Sequence, residues 1–269
     1  MSATRLSDDA RQQAQPTWAA LFVSDLHLQP EMPNTAQAFL DFLQTRAHQA
    51  RQLYLLGDIF EAWPGDDDLD DPFHARVAHA IRDVANQGTA VFWIAGNRDF
   101  LVGEQFAQVA GLTLLPDPFV TTIADQPFVL THGDAYCTDD TAYMQFRAQV
   151  RMPQWQAGFL ALPLAERKRI IAELRAGSRA AQKDKTYEIM DVNDDAIDAV
   201  FKETGARIMI QGHTHRPASH LHMINESRHV RHVLSDWDLD GTKPRGDWLA
   251  IDDQGRVHRY GLDGSVLTN

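Results

Sequence analysis

Potential metal ligands recur at five points along this chain, each after a short apolar run. Two of these points are Asp-x-His and His-x-His pairs, whose members lie two residues apart and therefore share one face of an extended segment. At the other three points a glycine adjoins the ligand and allows the backbone to turn sharply. The candidate ligands are Asp25, His27, Asp58, Asn97, His132, His213 and His215.

The chemical types of these ligands indicate which metals they would bind. Carboxylate, imidazole and amide oxygen without thiolate suit Mn²⁺, Fe²⁺ or Zn²⁺ rather than a structural zinc site. Seven ligands are too many for one ion, but they suit two ions about 3.5 to 4 Å apart that share a carboxylate. Such a pair clamps a phosphate and activates water for displacement at phosphorus. A lone Asp-x-His or Gly-Asp is better explained by a turn, and Gly-His-x-His alone is only moderately informative, but all five motifs in this order predict a two-metal phosphoesterase.

The apolar runs before the ligands predict the strands that position them. Their length and their β-branched and aromatic content are typical of buried strands. Helical patterns separate the first three runs, at residues 35–50 with Asn34 as the cap and at residues 74–86 with Gly88 at the end. Alternating strands and helices predict an α/β core, in which ligands collect at the carboxyl ends of strands. The runs occupy residues 21–23, 53–56, 91–94, 128–130 and 208–210.

Two later segments depart from this alternation. Beyond His220, the alternating residues 230–235 and the run 248–251 predict antiparallel strands that close a second sheet. The segment 141–190 is helix-rich and holds nine basic residues against four acidic ones. We interpret it as a lid, while its individual apolar residues are equally consistent with ordinary core. Those apolar residues include Trp155, Phe159, Leu160 and Leu164.

Composition argues against several classes of function. The chain has 269 residues, a formal charge of −12 and one cysteine, which argues against nucleic-acid binding and excludes an intramolecular disulfide. No run of apolar residues is long enough to predict a membrane span. Residues 1–17 lack the apolar core of a signal peptide and predict a polar extension of a single domain, residues 1–269. The acidic run at residues 66–71 predicts a solvated loop.

The five motifs together resemble those of the calcineurin-like metallophosphoesterases. That family's pattern is Asp-x-His, Gly-Asp, Gly-Asn-His-Asp or Glu, a single His, and Gly-His-x-His. The resemblance implies an α/β fold, a four-layer αββα sandwich of two mixed sheets, here with a helical insertion lid. It assigns one ion to Asp25, His27 and His215 and the other to Asn97, His132 and His213. It makes Asp58 the bridging ligand.

The third motif departs from the family pattern, because Arg98 stands where most members carry a catalytic histidine. An arginine cannot donate a proton at neutral pH. It can instead hold a phosphate through two hydrogen bonds and stabilise charge that develops in the transition state. The departure therefore leaves protonation of the leaving group without a donor.

Longer blocks resemble a narrower family, the UDP-2,3-diacylglucosamine pyrophosphohydrolases of lipid A biosynthesis in Gram-negative bacteria. The blocks occupy residues 24–28, 56–63, 96–100, 132–134, 137–140, 188–193 and 212–217. The resemblance implies hydrolysis of the pyrophosphate bond of this lipid-linked nucleotide sugar, with two Mn²⁺ ions per chain and water directed at the α-phosphorus. The implied catalytic residues are Asp58, Asn97, Arg98 and His213. The implied substrate contacts are Asn97, Arg98, Asp140, Ser178, Gln182, Lys185 and His213, of which Gln182 replaces the asparagine usual in the family.

The same resemblance implies where the protein works. Its lipid substrate places it on the cytoplasmic side of the inner membrane, in peripheral contact with the bilayer. The basic segment 141–190 favours such contact, since each Lys or Arg near an anionic surface gains about 1 kcal/mol. A monomer is favoured, although the sequence does not fix the oligomeric state.

Two other classes of function remain open at this point. One is a phosphatase or phosphodiesterase on the same site that acts on a soluble nucleotide or a phosphoprotein, which would not need an apolar, basic segment. The other is a non-catalytic metal scaffold. Chains of that kind tend to lose ligands, whereas all seven are present here.

Overall fold

Buried apolar runs form the strands of two sheets. The computed structural model describes residues 17–182 and 191–268, with residues 178–182 described by their backbone alone. The strands are β1 (Trp18–Val23), β2 (Ala50–Leu55), β3 (Ala90–Ile94), β4 (Thr113–Leu115), β5 (Phe119–Ile123), β6 (Gln126–Thr131), β7 (Ile208–Gln211), β8 (Ala218–Ile224), β9 (Ser227–Val233), β10 (Asp247–Ile251) and β11 (Val257–Gly261). The α-helices are α1 (Pro33–Thr45), α2 (Pro72–Asn86), α3 (Glu104–Ala110), α4 (Thr141–Val150), α5 (Pro153–Leu160), α6 (Leu164–Gln182) and α7 (Asp194–Thr204).

Both sheets are mixed. The first has the order β11-β10-β1-β2-β3-β4, in which β1 to β4 are parallel and β10 and β11 are antiparallel to their neighbours. The second has the order β5-β6-β7-β9-β8, with a parallel centre and antiparallel edge strands β5 and β8. All five predicted strands are confirmed, as β1, β2, β3, β6 and β7.

Three apolar cores hold the layers together. Between the sheets, the rings of Phe22, Tyr54 and Phe92 stack across β1, β2 and β3 with centroids 5.1 and 4.9 Å apart, and Leu130 and Ile210 of the second sheet join the same core. The other face of the first sheet packs against α1, α2 and α3. The outer face of the second sheet packs against α7. Helices, sheet, sheet and helix thus form the four-layer αββα sandwich that was predicted.

The prediction for the C-terminal strands is only partly right. The alternating residues 230–235 belong mostly to β9 and lie in the second sheet, as expected. The run 248–251 belongs to β10, which lies in the first sheet instead. There β10 pairs antiparallel with β1, setting Leu21 opposite Ala250, and so covers the edge of β1 that β2 leaves open.

The first helix begins earlier than predicted, and its cap is not Asn34. Helix α1 starts at Pro33, whose fixed φ suits the first turn, and it ends at Thr45, because Ala50 already belongs to β2. The carboxylate of Asp240 accepts hydrogen bonds from the backbone N–H groups of Asn34 (3.1 Å) and Thr35 (2.9 Å). The carboxylate of Asp240, which is distant in sequence, therefore caps the N-terminus of α1 in place of a local side chain.

The acidic run is not a solvated loop. Asp68 is buried and lies close to His74 and to Lys168 of α6. Asp71 caps α2 by accepting from the N–H of Phe73 at 2.9 Å. The prediction was wrong because these carboxylates find partners both nearby, at the start of α2, and far away in the sequence, on α6.

The helices α4, α5 and α6 form most of the segment 141–190, and α5 and α6 pack beside the first sheet. Phe159 is buried in the core of that sheet and stacks on Trp155 with ring centroids 5.0 Å apart. Leu160, the next residue, is 42% exposed. The apolar residues of the segment thus divide between core and surface. Within the described residues, no helix is both long and apolar enough to cross a membrane.

Candidate active site

The candidate ligands stand directly after five strands whose carboxyl ends meet. Asp25 and His27 follow β1, Asp58 follows β2, and Asn97 follows β3. The ligands from the second sheet are His132 after β6, and His213 and His215 after β7. The site therefore joins the two sheets, and the sequence-based placement of all seven residues at strand ends is confirmed.

Five of these residues adopt left-handed backbone conformations. The φ angles are 55° for Asp25, 49° for His27, 54° for Asp58, 67° for His213 and 57° for His215. Residues other than glycine rarely occupy this region, at a cost of about 1–3 kcal/mol each, and such strain clusters at functional sites. Asp and His are among the residues that tolerate it best.

Two glycines let the loops approach each other closely. A Cβ atom on Gly96 would overlap the carboxylate of Asp58, and one on Gly212 would overlap the carboxylate of Asp25. Any side chain at these two positions would therefore displace a candidate ligand. The glycines beside the ligands in the sequence motifs are explained by this close approach.

Asp25, His27 and His215 form the first ligand group. The Nε2 atoms of His27 and His215 face each other at 3.2 Å, and His215 Nε2 lies 3.3 Å from Asp25 Oδ1. Asp25 Oδ2 accepts from Ser24 Oγ and from the N–H of His213, whereas the buried Asp25 Oδ1 has no hydrogen-bond partner among the described residues. An orphaned carboxylate oxygen facing two ring nitrogens fits a divalent cation.

Asn97, His132 and His213 form the second ligand group. Asn97 Oδ1 lies 3.0 Å from His132 Nε2 and 2.9 Å from His213 Nδ1. His132 Nδ1 lies 2.9 Å from the carbonyl oxygen of Leu56, to which it donates. That bond fixes the tautomer in which His132 Nε2 carries the lone pair that a cation needs.

Asp58 and Arg98 lie between the two groups. Asp58 Oδ1 is 3.6 Å from His132 Nε2 and accepts the N–H of Arg98 at 2.8 Å. Arg98 Nε lies 3.8 Å from Asp58 Oδ2, and this buried nitrogen has no hydrogen-bond partner in the part of the chain that the structure describes. Its guanidinium group is thus placed beside the ligands, where an anionic group would meet it.

The site is strongly polarised. Burial by itself would raise the pKa of Asp25, but His215, His132 and His27 hold that pKa well below its usual range. Burial would also lower the pKa of His132, yet Asp58, Asp25 and Asp134 outweigh it and raise the pKa to about 9. Burial and the charge of His132 lower the pKa of His213 to about 4. Such carboxylate–imidazole attraction is what a bound cation would replace.

Several residues that the sequence reasoning did not select support the ligands. Asp99 is fully buried and accepts from the N–H groups of Gly96 and Ile59, both at 2.8 Å, which ties the loops after β2 and β3 together. Burial and the neighbouring Asp58 raise the pKa of Asp99 to about 6. Asp99 ends the Gly-Asn-Arg-Asp motif, and its position there is the signal that could have identified it.

Asp134 anchors α4 to the site. It accepts from the Tyr143 hydroxyl at 2.6 Å and from Arg147 Nε at 2.8 Å, and Arg151 Nη2 lies 3.8 Å away. Burial would raise the pKa of this carboxyl, but His132 and Arg147 hold it well below its usual range. Arg151 also donates to the carbonyl oxygen of Gly96. Asp134 stands two residues after His132, which was the available sequence signal.

Glu61 contacts the first ligand group and is itself held by α6. Its Oε2 lies 3.1 Å from His27 Nδ1, and Arg175 of α6 donates to both its carboxylate and its carbonyl oxygen. Burial would raise the pKa of Glu61, but His27, Arg175 and Arg98 lower it. Asp236 lies 3.5 Å from His215 Nδ1 on the opposite side. Neither acid belongs to one of the metal motifs, so spacing alone could not identify them.

The predicted substrate contacts are placed unevenly. Asn97, Arg98 and His213 lie in the ligand cluster. Asp140 is buried and caps α4 by accepting the N–H of Tyr143 at 3.1 Å. Ser178 and Gln182 lie on the last turns of α6, which the structure describes by their backbone only. Lys185 lies outside the described residues.

Comparison with known proteins places this arrangement in context. Residues 20–217 match the family model of the calcineurin-like phosphoesterases. A protein of Bordetella pertussis named UDP-2,3-diacylglucosamine hydrolase is 48% identical over 243 residues, covering 89% of this chain and 93% of the relative. One of the same name from Aromatoleum aromaticum is 46% identical over 229 residues, covering 85% and 93%. The crystal structure of a dimetal phosphatase from Danio rerio is 12% identical, with a TM-score of 0.48 over 92% of this chain and 96% of that one.

Proposed function

The chain belongs to the calcineurin-like phosphoesterases, and from that premise we propose that it hydrolyses the pyrophosphate bond of UDP-2,3-diacylglucosamine in lipid A biosynthesis. The products are UMP and 2,3-diacylglucosamine 1-phosphate. The relatives of that name support this substrate, since they are 46–48% identical to this chain over more than four fifths of its length. The proposal makes the protein a metal-dependent hydrolase of phosphorus anhydrides.

The observation that carries the proposal is the pairing of two ligand groups across Asp58. Asp25, His27 and His215 would hold one Mn²⁺ ion, and Asn97, His132 and His213 the other, with Asp58 shared between them. The orphaned oxygen of Asp25 and the fixed tautomer of His132 support this assignment. When bound, such ions lower the pKa of a water nucleophile and neutralise charge on phosphoryl oxygens.

The protein's own residues position the diphosphate. Arg98 has a buried nitrogen for which the described residues supply no hydrogen-bond partner, so it can hold the α-phosphate and stabilise charge that develops on its oxygens. Asn97 and His213 bring their side chains to the same point. Asp58 is the fourth residue proposed as catalytic, and it acts by keeping both ligand groups in place.

The leaving group explains why an arginine can replace the usual histidine. Water adds its oxygen to the α-phosphorus and releases its protons to the solvent, and the bond between that phosphorus and the bridging oxygen breaks. The group that departs is a sugar phosphate, whose second pKa is about 6. It can leave as an anion near neutral pH, so no side chain has to protonate it. Charge neutralisation by Arg98 is then the more useful contribution.

The insertion supplies the rest of the substrate site. We assign contacts with the glucosamine and its acyl chains to Asp140, Ser178, Gln182 and Lys185, in addition to Asn97, Arg98 and His213. Ser178 and Gln182 lie four residues apart on α6 and so share one face of that helix. A pocket with apolar walls and a few polar anchors is the usual form of a site for such a substrate.

The lipid substrate places the protein at the cytoplasmic face of the inner membrane, as a peripheral protein. Among the described side chains of the insertion, four large apolar ones are exposed and could contact lipid: Phe146, Met152, Leu160 and Leu174. They lie in the same segment as the proposed substrate contacts. Membrane contact and entry of the lipid substrate would therefore involve one region of the protein.

The test is an assay with Mn²⁺ that compares UDP-2,3-diacylglucosamine with UDP-N-acetylglucosamine. We expect UMP from the diacylated substrate and much slower turnover of the soluble one. Equal rates would mean a phosphoesterase for soluble nucleotides, and release of UDP would mean cleavage at the sugar. No turnover of either would favour a metal scaffold.

The Asp58→Asn variant tests the metal assignment in the same assay. It keeps an oxygen that can accept from the N–H of Arg98 but removes the shared charge. We expect loss of activity and of one bound Mn²⁺ per chain. Asp41→Asn, which changes an exposed carboxylate on α1 that accepts from Gln37, is the matched control and should change neither.

A further inference from the structure

Glu61 touches a candidate metal ligand from outside the cluster. Its Oε2 lies 3.1 Å from His27 Nδ1, while the other ring nitrogen of His27 faces His215 at 3.2 Å. The carboxylate is thus on the side of the ring turned away from the ligand atoms. Within the described residues His27 Nδ1 is buried and forms no hydrogen bond of good geometry, so the contact with Glu61 is a close approach of charge. This approach still places the negative charge of Glu61 beside Nδ1 of His27, so it stabilises a proton on Nδ1 rather than on Nε2.

A neutral imidazole carries its proton on one nitrogen and a lone pair on the other. A carboxylate beside Nδ1 favours the proton there and leaves the lone pair on Nε2, which is the atom within reach of Asp25 and His215. Partners of this kind fix the ring orientation of metal-binding histidines, and losing them costs about 10–100-fold in metal affinity. Both side chains are largely buried, with 14% of His27 and 21% of Glu61 exposed, so solvent screens their interaction weakly.

Glu61 is held in turn from two directions. Its backbone N–H donates to the carbonyl oxygen of Leu28, 3.1 Å away, in the loop that carries His27. Arg175 donates through Nη1 to the carbonyl oxygen of Glu61 and through Nη2 to its Oε1. Because Arg175 belongs to α6, the position of this carboxylate depends on a helix of the insertion. Glu61 and Arg175 are 114 residues apart in the sequence.

We propose that Glu61 orients His27 toward the ion held with Asp25 and His215, and that Arg175 couples this orientation to the seating of α6. Glu61 and Arg175 are positioning residues, since neither belongs to the proposed ligand set. The proposal rests on the proposed function only in taking Asp25, His27 and His215 as one of two metal sites. By linkage, a substrate that seats α6 would strengthen binding at this site, and occupation of the site would strengthen substrate binding by the same factor.

The test measures Mn²⁺ binding to the full chain by calorimetry, without substrate. We expect Glu61→Leu to lower the affinity of one of the two sites by about 10–100-fold and to leave the other unchanged. Glu61→Gln keeps an oxygen that can accept from His27 and should recover part of the loss. A general loosening of the protein would lower both affinities, so the selective loss distinguishes positioning from a structural role.

Arg175→Met tests the connection to α6. It should weaken the same site, and combined with Glu61→Leu it should add little, because both changes interrupt one chain of contacts. Arg169→Met is the matched control, since Arg169 lies on the same helix in an exposed ion pair with Glu173. It should leave both sites unchanged.

Each outcome bears on a different claim. Wild-type affinity at both sites in Glu61→Leu would overturn the proposal, and in Arg175→Met alone it would overturn the coupling to α6. If the wild-type chain itself binds no Mn²⁺, or only one ion, the proposed metal centre fails instead. Should Glu61→Leu not fold, Glu61→Gln answers the same question through a smaller selective loss.

Discussion

Arg98 illustrates what a single residue can contribute. Its guanidinium group lies beside Asp58, and its buried Nε has no hydrogen-bond partner across residues 17–177 and 191–268. We expect Arg98→Lys to lower kcat by about 10²–10³-fold, the usual loss when one donor to a developing charge is removed. The retained positive charge of lysine should not compensate, because lysine lacks the planar pair of donors that matches a phosphate.

The pH profile of the Arg98→Lys variant separates two roles for this residue. Arginine stays charged across the accessible pH range, so the variant should keep the shape of the wild-type kcat profile at a lower level. Loss of one limb of the profile would mean that position 98 takes part in proton transfer. Arg256→Lys, which alters an exposed ion pair with Asp252, should reproduce wild-type kinetics.

Metal binding should depend on pH through His132. Without an ion, neighbouring carboxylates raise its pKa from 6.5 to about 9, so protonated His132 stabilises the folded chain fully below pH 6.5 and loses that effect as pH rises through 9. A cation needs the neutral ring and must displace this proton. The apparent Mn²⁺ affinity should therefore rise by about tenfold per pH unit across that window. His213, whose pKa is lowered to about 4, is already neutral and releases none.

Proton release provides the measurement. Calorimetric titrations in buffers of different ionisation enthalpy should give a binding heat that varies with the buffer within the window. The dependence should vanish above pH 9. A heat that is independent of the buffer near neutral pH would contradict a protonated His132 in the metal-free protein.

At this scale the sequence predicted the candidate ligands but not the residues that contact them from behind. Asp25, His27, His213 and His215 carry their own signal, because paired ligands at strand ends recur in a fixed order. Glu61 has no such signal, since its partner Arg175 lies 114 residues away and only the fold brings them together. A lone acid after a strand is indistinguishable from a surface residue until its partners are known.

Helix α1 shows that a secondary-structure element, too, can depend on a residue far away in the sequence. Asp240 accepts from the side chains and N–H groups of Asn34 and Thr35 and so caps this helix from a distant loop. We expect Asp240→Ala to lower the free energy of unfolding by about 1 kcal/mol, the usual worth of such a cap. Urea unfolding measures the loss, and Mn²⁺ affinity should not change.

Asp41→Ala is the control for the capping variant. Asp41 is an exposed carboxylate on the same helix that accepts only from Gln37 within the described part of the chain, so its removal should change stability by less than about 0.5 kcal/mol. Equal losses in the two variants would mean that Asp240 acts as an ordinary surface charge.

The strands of the core were predictable because their apolar runs are local. The start of α1 was not, because its cap lies 205 residues away from Thr35.

Over the whole molecule, the charge of the insertion proves less available than its sequence suggests. All six of its basic side chains that the structure describes lie within 4.0 Å of a carboxylate. Two of them, Arg167 and Lys168, pair with Asp67 and Asp68 of the acidic run. The sequence showed the acidic run and the basic insertion, but it did not show that side chains of the two form ion pairs. Attraction to an anionic membrane should therefore be weaker than the net charge of the insertion implies.

If the insertion contacts a bilayer, its exposed apolar residues must carry most of the binding. We expect the double variant Leu160→Ser/Leu174→Ser to bind phosphatidylglycerol-containing vesicles at least about tenfold more weakly, since burying each leucine is worth about 1.5–3 kcal/mol. Sedimentation with vesicles measures this. Leu221→Ser, which changes an exposed leucine on edge strand β8, should bind like the wild type.

Raising the salt concentration should have little effect on vesicle binding, because salt screens charges but does not weaken apolar burial. Release by salt, with normal binding of the double variant, would instead assign the contact to cations outside the described side chains, such as Arg179, Lys183 and Lys185.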